Sequence, residues 1–267
     1  VSAEAGGDVG RAEPAGGAGR RLSAVLITLN EERRLAACLE RLANLADEIV
    51  VLDAMSEDRT VEVARAAGAR VERAAFEGFG PAKQRALRLA TGTWVLSVDA
   101  DELVTPALAE EIRRVVAAPD AADGYWVKRE VYYLGRRMRF GGLGRDWVLR
   151  LFRRDRGRFT ASKVHERVEV DGRTARLVAT LEHHTCATLS EHLAKVERYS
   201  SLRAEELAQR GRCYRSADVL RLPLEFALRA VVRLGLLDGT RGVVYAAVSA
   251  YAKWLRYAKL LDREAAR

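Results

Sequence analysis

Between residues 22 and 117 the chain alternates short apolar runs with segments of helical period, four times over. The runs at 22–28, 48–53, 70–73 and 93–98 are short and rich in β-branched residues, and they predict strands, most of them buried on both faces. Between them Leu35, Cys38, Leu39 and Leu42 recur at helical spacing. Asn30 stands where it can cap that helix, with Glu31 and Glu32 in its first turn. Asp58 caps a second helix that ends before Gly68. Pro81 opens a third through residue 90 and Pro106 a fourth through 117. Strand and helix in this order predict a parallel sheet with helices on both faces. Ligands of such sheets lie beyond the carboxyl ends of the strands, which selects residues 28–32, 53–58 and 99–102.

The pattern changes after that. Residues 125–134, 148–152, 165–170 and 175–181 alternate over short distances and predict a β-rich region with hairpins. From residue 189 the period is helical. Arg221, Glu225, Arg229 and Arg233 recur every fourth position and form a polar stripe on an otherwise apolar helix that begins near Pro223. After a break at 235–242, a second helix carries Tyr245, Tyr251, Trp254 and Tyr257 beside Lys253, Arg256 and Lys259. Aromatic and basic residues at helical spacing suit peripheral contact with a membrane through residues 219–262. A helical hairpin packed on the rest of the protein gives the same pattern. Residues 1–21 are Gly/Ala-rich without an apolar period and read as a disordered leader with no secretory core. The expected organisation is therefore a leader at 1–21, a catalytic unit at 22–187 divided near 117, and a helical region at 188–267.

Composition narrows the picture. The chain has 267 residues, 49% hydrophobic and 31% charged, which is globular. No apolar run reaches the roughly 18–20 residues that span a bilayer. Three cysteines, Cys38, Cys186 and Cys213, lack metal-ligand spacing and point to a reducing, cytoplasmic setting. The net charge is +8, and only six of the 45 basic residues are lysines. The guanidinium fork suits phosphates and carboxylates. Charge alone admits nucleic acid, an anionic membrane or a phosphorylated substrate. The aromatics cluster in the late helices rather than along a basic stripe, which argues against nucleic acid.

Two stretches carry candidate chemistry. In Leu96-Ser-Val-Asp-Ala-Asp-Glu102, the carboxylates of Asp99 and Asp101 follow a buried strand, and in extended geometry they share a side. Such a pair suits a hard divalent cation that shares substrate phosphates, or else forms a solvated acidic turn. Asp53 closes the second strand, where a carboxylate can accept from a base N–H or a ribose hydroxyl. Met55 just beyond it reads as packing, and Asn30 as a helix cap or a ligand contact. His183 and His184 with Cys186 do not complete a zinc site, and His192 reads as a helix-surface residue.

The segments LSAVLITLNEE, EIVVLDAMSEDRT and GFGPAKQRALRLATGTWVLSVDADE resemble the nucleotide-binding half of inverting glycosyltransferase family 2, with its GT-A fold. RLFRR at 150–154, KVHERVEVDG at 163–172, LEHHT at 181–185 and RLGLLDGTRG at 233–242 are similar to its lipopolysaccharide core branch. The resemblance implies a Rossmann-like, mostly parallel α/β sheet with flanking helices, a β-rich acceptor region and a C-terminal helical extension. It implies that Thr28, Asn30, Glu32 and Asp53 surround the nucleoside of a UDP-sugar, with Lys83 near the donor. Asp99 would approach the ribose or the metal, and Asp101 would coordinate Mg²⁺ or Mn²⁺. Residues 54–56 are Ala-Met-Ser where relatives often have Ser-Gly-Ser. An inverting transfer also needs a base for the acceptor hydroxyl. Glu166 is the candidate, with His165 orienting, and the alternative for Glu166 is a structural ion pair. Arg150 is the candidate phosphate contact, and His183 closes the metal site or is simply buried. The acceptor implied is a lipid-linked glycan at the cytoplasmic face of the inner membrane. A polyprenyl-phosphate glycosyltransferase would have less need of a base, and a non-catalytic sugar-nucleotide binder would not need Asp99, Asp101 and Glu166 together.

Overall fold

A computed structural model describes residues 22–144, 146–162 and 166–265. The expected leader and the candidate His165 lie outside the described residues. The first half follows the predicted alternation: β1 (Leu22–Thr28), α1 (Glu32–Ala43), β2 (Glu48–Asp53), α2 (Thr60–Ala66), β3 (Arg70–Arg73), α3 (Phe79–Leu89) and β4 (Trp94–Ser97). These strands lie in the order β3-β2-β1-β4, all parallel. The period of two in β1 explains its central place. Ala24 and Leu26 join the core beneath Leu35, Leu39 and Leu42 of α1, while Val25 joins the opposite core with Ala82, Ala86 and Leu87 of α3.

Beyond β4 the sheet becomes mixed. It continues through β5 (Glu102–Val104), α4 (Pro106–Ala117), β6 (Gly124–Tyr133), β7 (Arg136–Arg137), β8 (Asp146–Arg153), β9 (Gly157–Phe159), β10 (Val168–Val170) and β11 (Thr174–Cys186). β8 runs antiparallel between β4 and β6. β11 runs parallel to β6 and carries β5 on its other edge. β9 and β10 form a separate antiparallel pair. This is the α/β, GT-A-type architecture that the sequence implied, with β1 to β4 all parallel and one further parallel pair formed by β6 and β11. Two elements differ from expectation. β5 is only three residues long and has no readable period. β11 extends past 181 to Cys186 because β6 and β5 pair with it on both sides, and this brings His183 into the sheet.

The C-terminal region comprises α5 (Leu189–Gln209), a 3₁₀ turn, α6 (Arg221–Ala227) running into a π turn at Leu228–Val232, a second 3₁₀ turn, α7 (Thr240–Ala258) and α8 (Leu260–Ala265). α7 packs on both α5 and α6. The middle of the polar stripe, Glu225 and Arg229, faces inward, while Arg233 is exposed. Glu225 is buried, with Arg229 Nε at 2.7 Å and Lys253 of α7 also bonded to its carboxylate. The apolar side faces out: Leu224 is 67% exposed, Val232 72% and Leu237 65%. A carboxylate flanked by two cations can be buried, and α6 is too short to cover its other face. Among the described residues no helix is long and apolar enough to cross a membrane. The three cysteines are free, with Cys38 and Cys186 buried.

Three local expectations are corrected. Asn30 adopts a left-handed φ of 56° and makes no side-chain cap on α1. Met55 is not packed: it is 51% exposed, with a φ of 65°. Its backbone holds the left-handed conformation that glycine adopts freely. His192 is no simple surface residue, since its Nδ1 lies 2.8 Å from the Tyr133 hydroxyl and its ring stacks on Tyr245.

Glu48, which begins β2, ties the nucleotide half together. Its carboxylate accepts from the Ser23 hydroxyl, from the N–H and hydroxyl of Thr91, and from the Gly92 N–H. Burial opposes ionisation, but these hydrogen bonds outweigh it and lower the carboxyl from 4.5 to about 2. A depressed carboxyl stabilises the fold above its unfolded value and loses that contribution as pH falls through the folded one. Glu48→Gln should therefore be less stable than the parent at pH 7, and the gap should close progressively between pH 4.5 and pH 2. Urea midpoints across this range measure it, and a gap independent of pH would refute the ionic tie.

Candidate active site

A cavity of about 790 Å³ opens at the carboxyl ends of β1 and β2. Ile27, Thr28, Leu52 and Ala54 form its floor, and Asp99, Asp101, Lys83, Glu166 and His183 converge on one wall. These residues come from β1, β2, α3 and β11 and from three separate connecting segments, so their meeting is a product of the sheet order.

One ion network organises this wall. Lys83 Nζ lies 2.8 Å from Asp99 Oδ1 and 2.8 Å from Glu166 Oε1. Arg150 binds Asp99 on the other side and also binds Glu102. Glu102 is wholly buried; it accepts from the Asp99 N–H at 3.0 Å and pairs with Arg129 at 3.1 Å. Burial pushes the Asp99 carboxyl up, but Arg150 and Lys83 hold it well below the usual carboxylate range. Arg150 is held above its ordinary value because the carboxylates outweigh its desolvation. Arg150 is 6% exposed and is not on the cavity lining. One terminal nitrogen, Nη2, binds both Asp99 and Glu102, while Nε is buried without a partner among the described residues, so in this structure Arg150 positions Asp99 from behind the cavity wall.

Asp99 and Asp101 do not share an extended face. They bracket a turn closed by the Glu102 N–H on the Asp99 carbonyl at 2.9 Å. Their neighbours differ accordingly. Asp101 Oδ2 lies 3.5 Å from His183 Nε2 and 3.5 Å from Lys195 Nζ. Burial raises the Asp101 carboxyl, but hydrogen bonding and charge from His183 bring it below its ordinary value. His183 Nδ1 is buried without a partner among the described residues. His184 points to the other face of β11 and stacks on Tyr132.

Asp101 and His183 are the residues here that fit a divalent cation. A carboxylate and an imidazole meet on a cavity wall, and Mg²⁺ commonly takes one or two protein carboxylates, completing its shell with water and substrate oxygens. Among the described residues no three His, Cys, Asp or Glu side chains come together as a ready-made cage.

Most of the expected nucleoside contacts are engaged with one another. Asp53 is fully buried and accepts from the Thr28 hydroxyl at 3.2 Å, the Ser56 N–H at 2.9 Å and Arg73 Nε at 3.3 Å. Asn30 Oδ1 accepts from the Glu57 N–H, and Glu32 Oε2 from the Arg59 N–H. The loops after β1 and β2 are thus clasped together, and of this group Thr28 lines the cavity.

Sequence reasoning passed over several lining residues. Glu31 was noted only as part of a first helical turn. Burial raises its carboxyl, Arg34 opposes that, and Asp101 adds to it. Lys195 and Tyr199 of α5 come from a segment read only as helix. Phe79 stacks on Tyr199 with ring centroids 6.4 Å apart, closing the cavity above Lys83. The one available signal was that Lys195, Tyr199 and Arg203 share a helix face.

Arg150→Met would leave the buried Glu102 with Arg129 alone as its cation and Asp99 with Lys83 alone. Removing one partner from a buried ion pair costs about 3–5 kcal/mol, so urea unfolding should show a loss of that order. A variant as stable as the parent but with a raised donor KM would instead show that Arg150 contacts the donor.

Residues 23–170 match the family described as glycosyl transferase family 2. The chain is 32% identical over 252 residues to the lipopolysaccharide core biosynthesis glycosyltransferase LpsC of Rhizobium meliloti, covering 91% of this chain and 93% of that protein. It is 29% identical over 257 residues to an uncharacterized glycosyltransferase of Rickettsia typhi, covering 91% and 87% respectively. A solved structure of glucosyl-3-phosphoglycerate synthase from Mycobacterium tuberculosis, in complex with Mn²⁺, UDP and glucosyl-3-phosphoglycerate, matches over 43% of this chain and 45% of that one. The identity is 28% and the TM-score 0.36. On the extent of the family match and of the likeness to LpsC, the chain belongs to glycosyltransferase family 2 and is a glycosyltransferase related to an enzyme of lipopolysaccharide core biosynthesis.

Proposed function

We propose that this enzyme is a metal-assisted inverting glycosyltransferase that moves a sugar from a UDP-sugar to a lipid-linked glycan at the cytoplasmic face of a membrane. The observation that carries the reading is the placement of Glu166 and Asp99 on opposite sides of the Lys83 ammonium, in the same cavity as Asp101 and His183. Thr28 and the clasped loops after β1 and β2 form the nucleoside end. Glu166 is the proton acceptor. As the acceptor oxygen bonds to the anomeric carbon, its proton passes to the Glu166 carboxylate. The bond to the nucleoside diphosphate breaks on the opposite face. Lys83 holds Glu166 in place, and Asp99 fixes Lys83. A divalent cation held by Asp101 and His183 would supply charge neutralisation at the leaving diphosphate. Lys195 lies on the same side and adds positive charge there.

Glu166→Gln should keep donor binding and lose about 10²–10⁴-fold in turnover, the range for removing a general base. Asp101→Ala should lose Mn²⁺-dependent donor binding in a calorimetric titration with UDP. Normal transfer by Glu166→Gln, or unchanged Mn²⁺-dependent UDP binding by Asp101→Ala, would defeat the respective assignment.

The lipid-linked acceptor is supported by the outward apolar side of residues 219–237, where Leu220, Leu222, Leu224, Val231, Val232 and Leu237 are all exposed. Such a ridge beside arginines suits an anionic membrane surface. The triple substitution Leu224→Ser, Val232→Ser, Leu237→Ser should abolish flotation with phosphatidylglycerol-containing liposomes and leave the thermal midpoint and UDP binding unchanged. Equal flotation of parent and variant would remove the membrane contact from this reading.

A further inference from the structure

The cavity does not end at Asp101. It continues between α5 and α7, where Arg198, Arg203, Arg229, Lys253 and Arg256 line it together with a single carboxylate, Glu225. Glu225 is already taken by Arg229 and Lys253. Arg203 pairs with Glu206 of its own helix. Arg198 has no ion-pair partner among the described residues. Arg256 is half-buried; its Nε donates to the Lys253 carbonyl at 3.2 Å, and no carboxylate lies within salt-bridge distance among the described residues. Its terminal nitrogens have no hydrogen-bond partner there. Burial pushes the Arg256 guanidinium down from its ordinary value, and Arg203 and Arg221 add to this; Tyr257, whose ring centroid lies 5.6 Å away, and Glu225 oppose it. Glu225 is already bonded to Arg229 and Lys253, so Arg256 is half-removed from water with no carboxylate of its own within salt-bridge distance among the described residues, and its planar fork matches phosphate or carboxylate oxygens.

This lobe is separate from the candidate donor end. Lys195 faces Asp101, whereas Arg203 lies eight residues further along α5, about 12 Å at 1.5 Å per residue. The lobe's arginines and lysine come from α5, α7 and the turn after α6, and not from the loops after β1 and β2.

We propose that Arg198, Arg203 and Arg256 form an anion subsite that recognises a phosphate or carboxylate group on the acceptor glycan, remote from the hydroxyl that reacts. The proposal rests on the glycosyltransferase reading for the identity of the acceptor, and on the arginine geometry for the anion. It makes the acceptor an anionic glycan and gives the C-terminal helices a role in choosing it.

Two measurements test it on the full chain. Calorimetric titration with inorganic phosphate, in the presence of saturating UDP and Mn²⁺, should show binding to the parent. Binding should be at least tenfold weaker to Arg203→Gln/Arg256→Gln, whose UDP affinity should stay within twofold. Arg256→Lys, which keeps the charge without the fork, should be intermediate, and thermal melts establish that each variant is folded. Phosphate binding that UDP displaces, or that the double substitution leaves unchanged, would overturn the subsite. The second arm separates a group on the acceptor from free phosphate. Transfer to a phosphorylated core oligosaccharide should have a KM at least tenfold below transfer to the same material after dephosphorylation and removal of its carboxylates, and the double variant should not distinguish them. Equal KM values for the parent would overturn the acceptor assignment. If the parent neither binds UDP nor transfers sugar, the glycosyltransferase mechanism proposed here fails, and phosphate titration without UDP then decides the arginine site by itself.

Discussion

The buried Glu102 constrains the whole active-site wall. A carboxylate with no access to water must be met by cations, and Arg150 from β8 and Arg129 from β6 meet it. Those two arginines tie the antiparallel part of the sheet to the turn that follows the last parallel strand. Arg150 then has a donor for Asp99, Asp99 takes Lys83, and Lys83 takes Glu166. The chain of charges runs from the centre of the sheet to the cavity. Its order decides which carboxylates remain for chemistry: Asp99 is committed to close contacts with Lys83 and Arg150, Asp101 has His183 and Lys195 only at 3.5 Å, and Glu166 meets the cavity beside Lys83.

The same rule shapes the C-terminal helices. Glu225 is buried against Arg229 and Lys253, so the polar stripe of α6 turns inward and the leucines turn out. The result is a helical layer with two distinct faces. One lines the cavity with cationic side chains and Tyr199, which stacks on Phe79 of α3. The other leaves apolar side chains in water. The cationic face draws on α5, α7 and the turn after α6, and the apolar face on residues 219–237.

Much of the fold was legible because its signals are local. The β-branched runs at 22–28 and 48–53, the leucine spacing in α1, and Pro81 and Pro106 each mark an element without reference to the rest of the chain. The resemblance in the same segments extended this to the family. The misreadings share one cause, which is that a polar side chain has several acceptable partners. Asn30 and Asp58 both looked like helix caps. Neither caps its helix: α2 begins at Thr60 behind Arg59 without a side-chain cap, Asp58 accepts from the Thr60 and Glu32 N–H groups one residue further out, and Asn30 bridges to the neighbouring loop. Met55 looked like packing because it is apolar, yet a left-handed loop position holds its side chain outside.

The sequence by itself determined the strand and helix order, the parallel nucleotide half, the family, and the set of acidic residues available at the strand ends. Periodicity and turn chemistry act over a few residues, so one dimension suffices for them. Tertiary structure decided which charges neutralise which. Lys83 and Glu166 are far apart in the chain, as are Arg150 and Asp99, and charge pairing depends on distance in space alone. It also decided that Glu225 and Arg229, the middle of the polar stripe, face the protein. The amphipathic pattern specifies two faces, and only the neighbouring helix, bringing Lys253 to Glu225, selects which of them is buried.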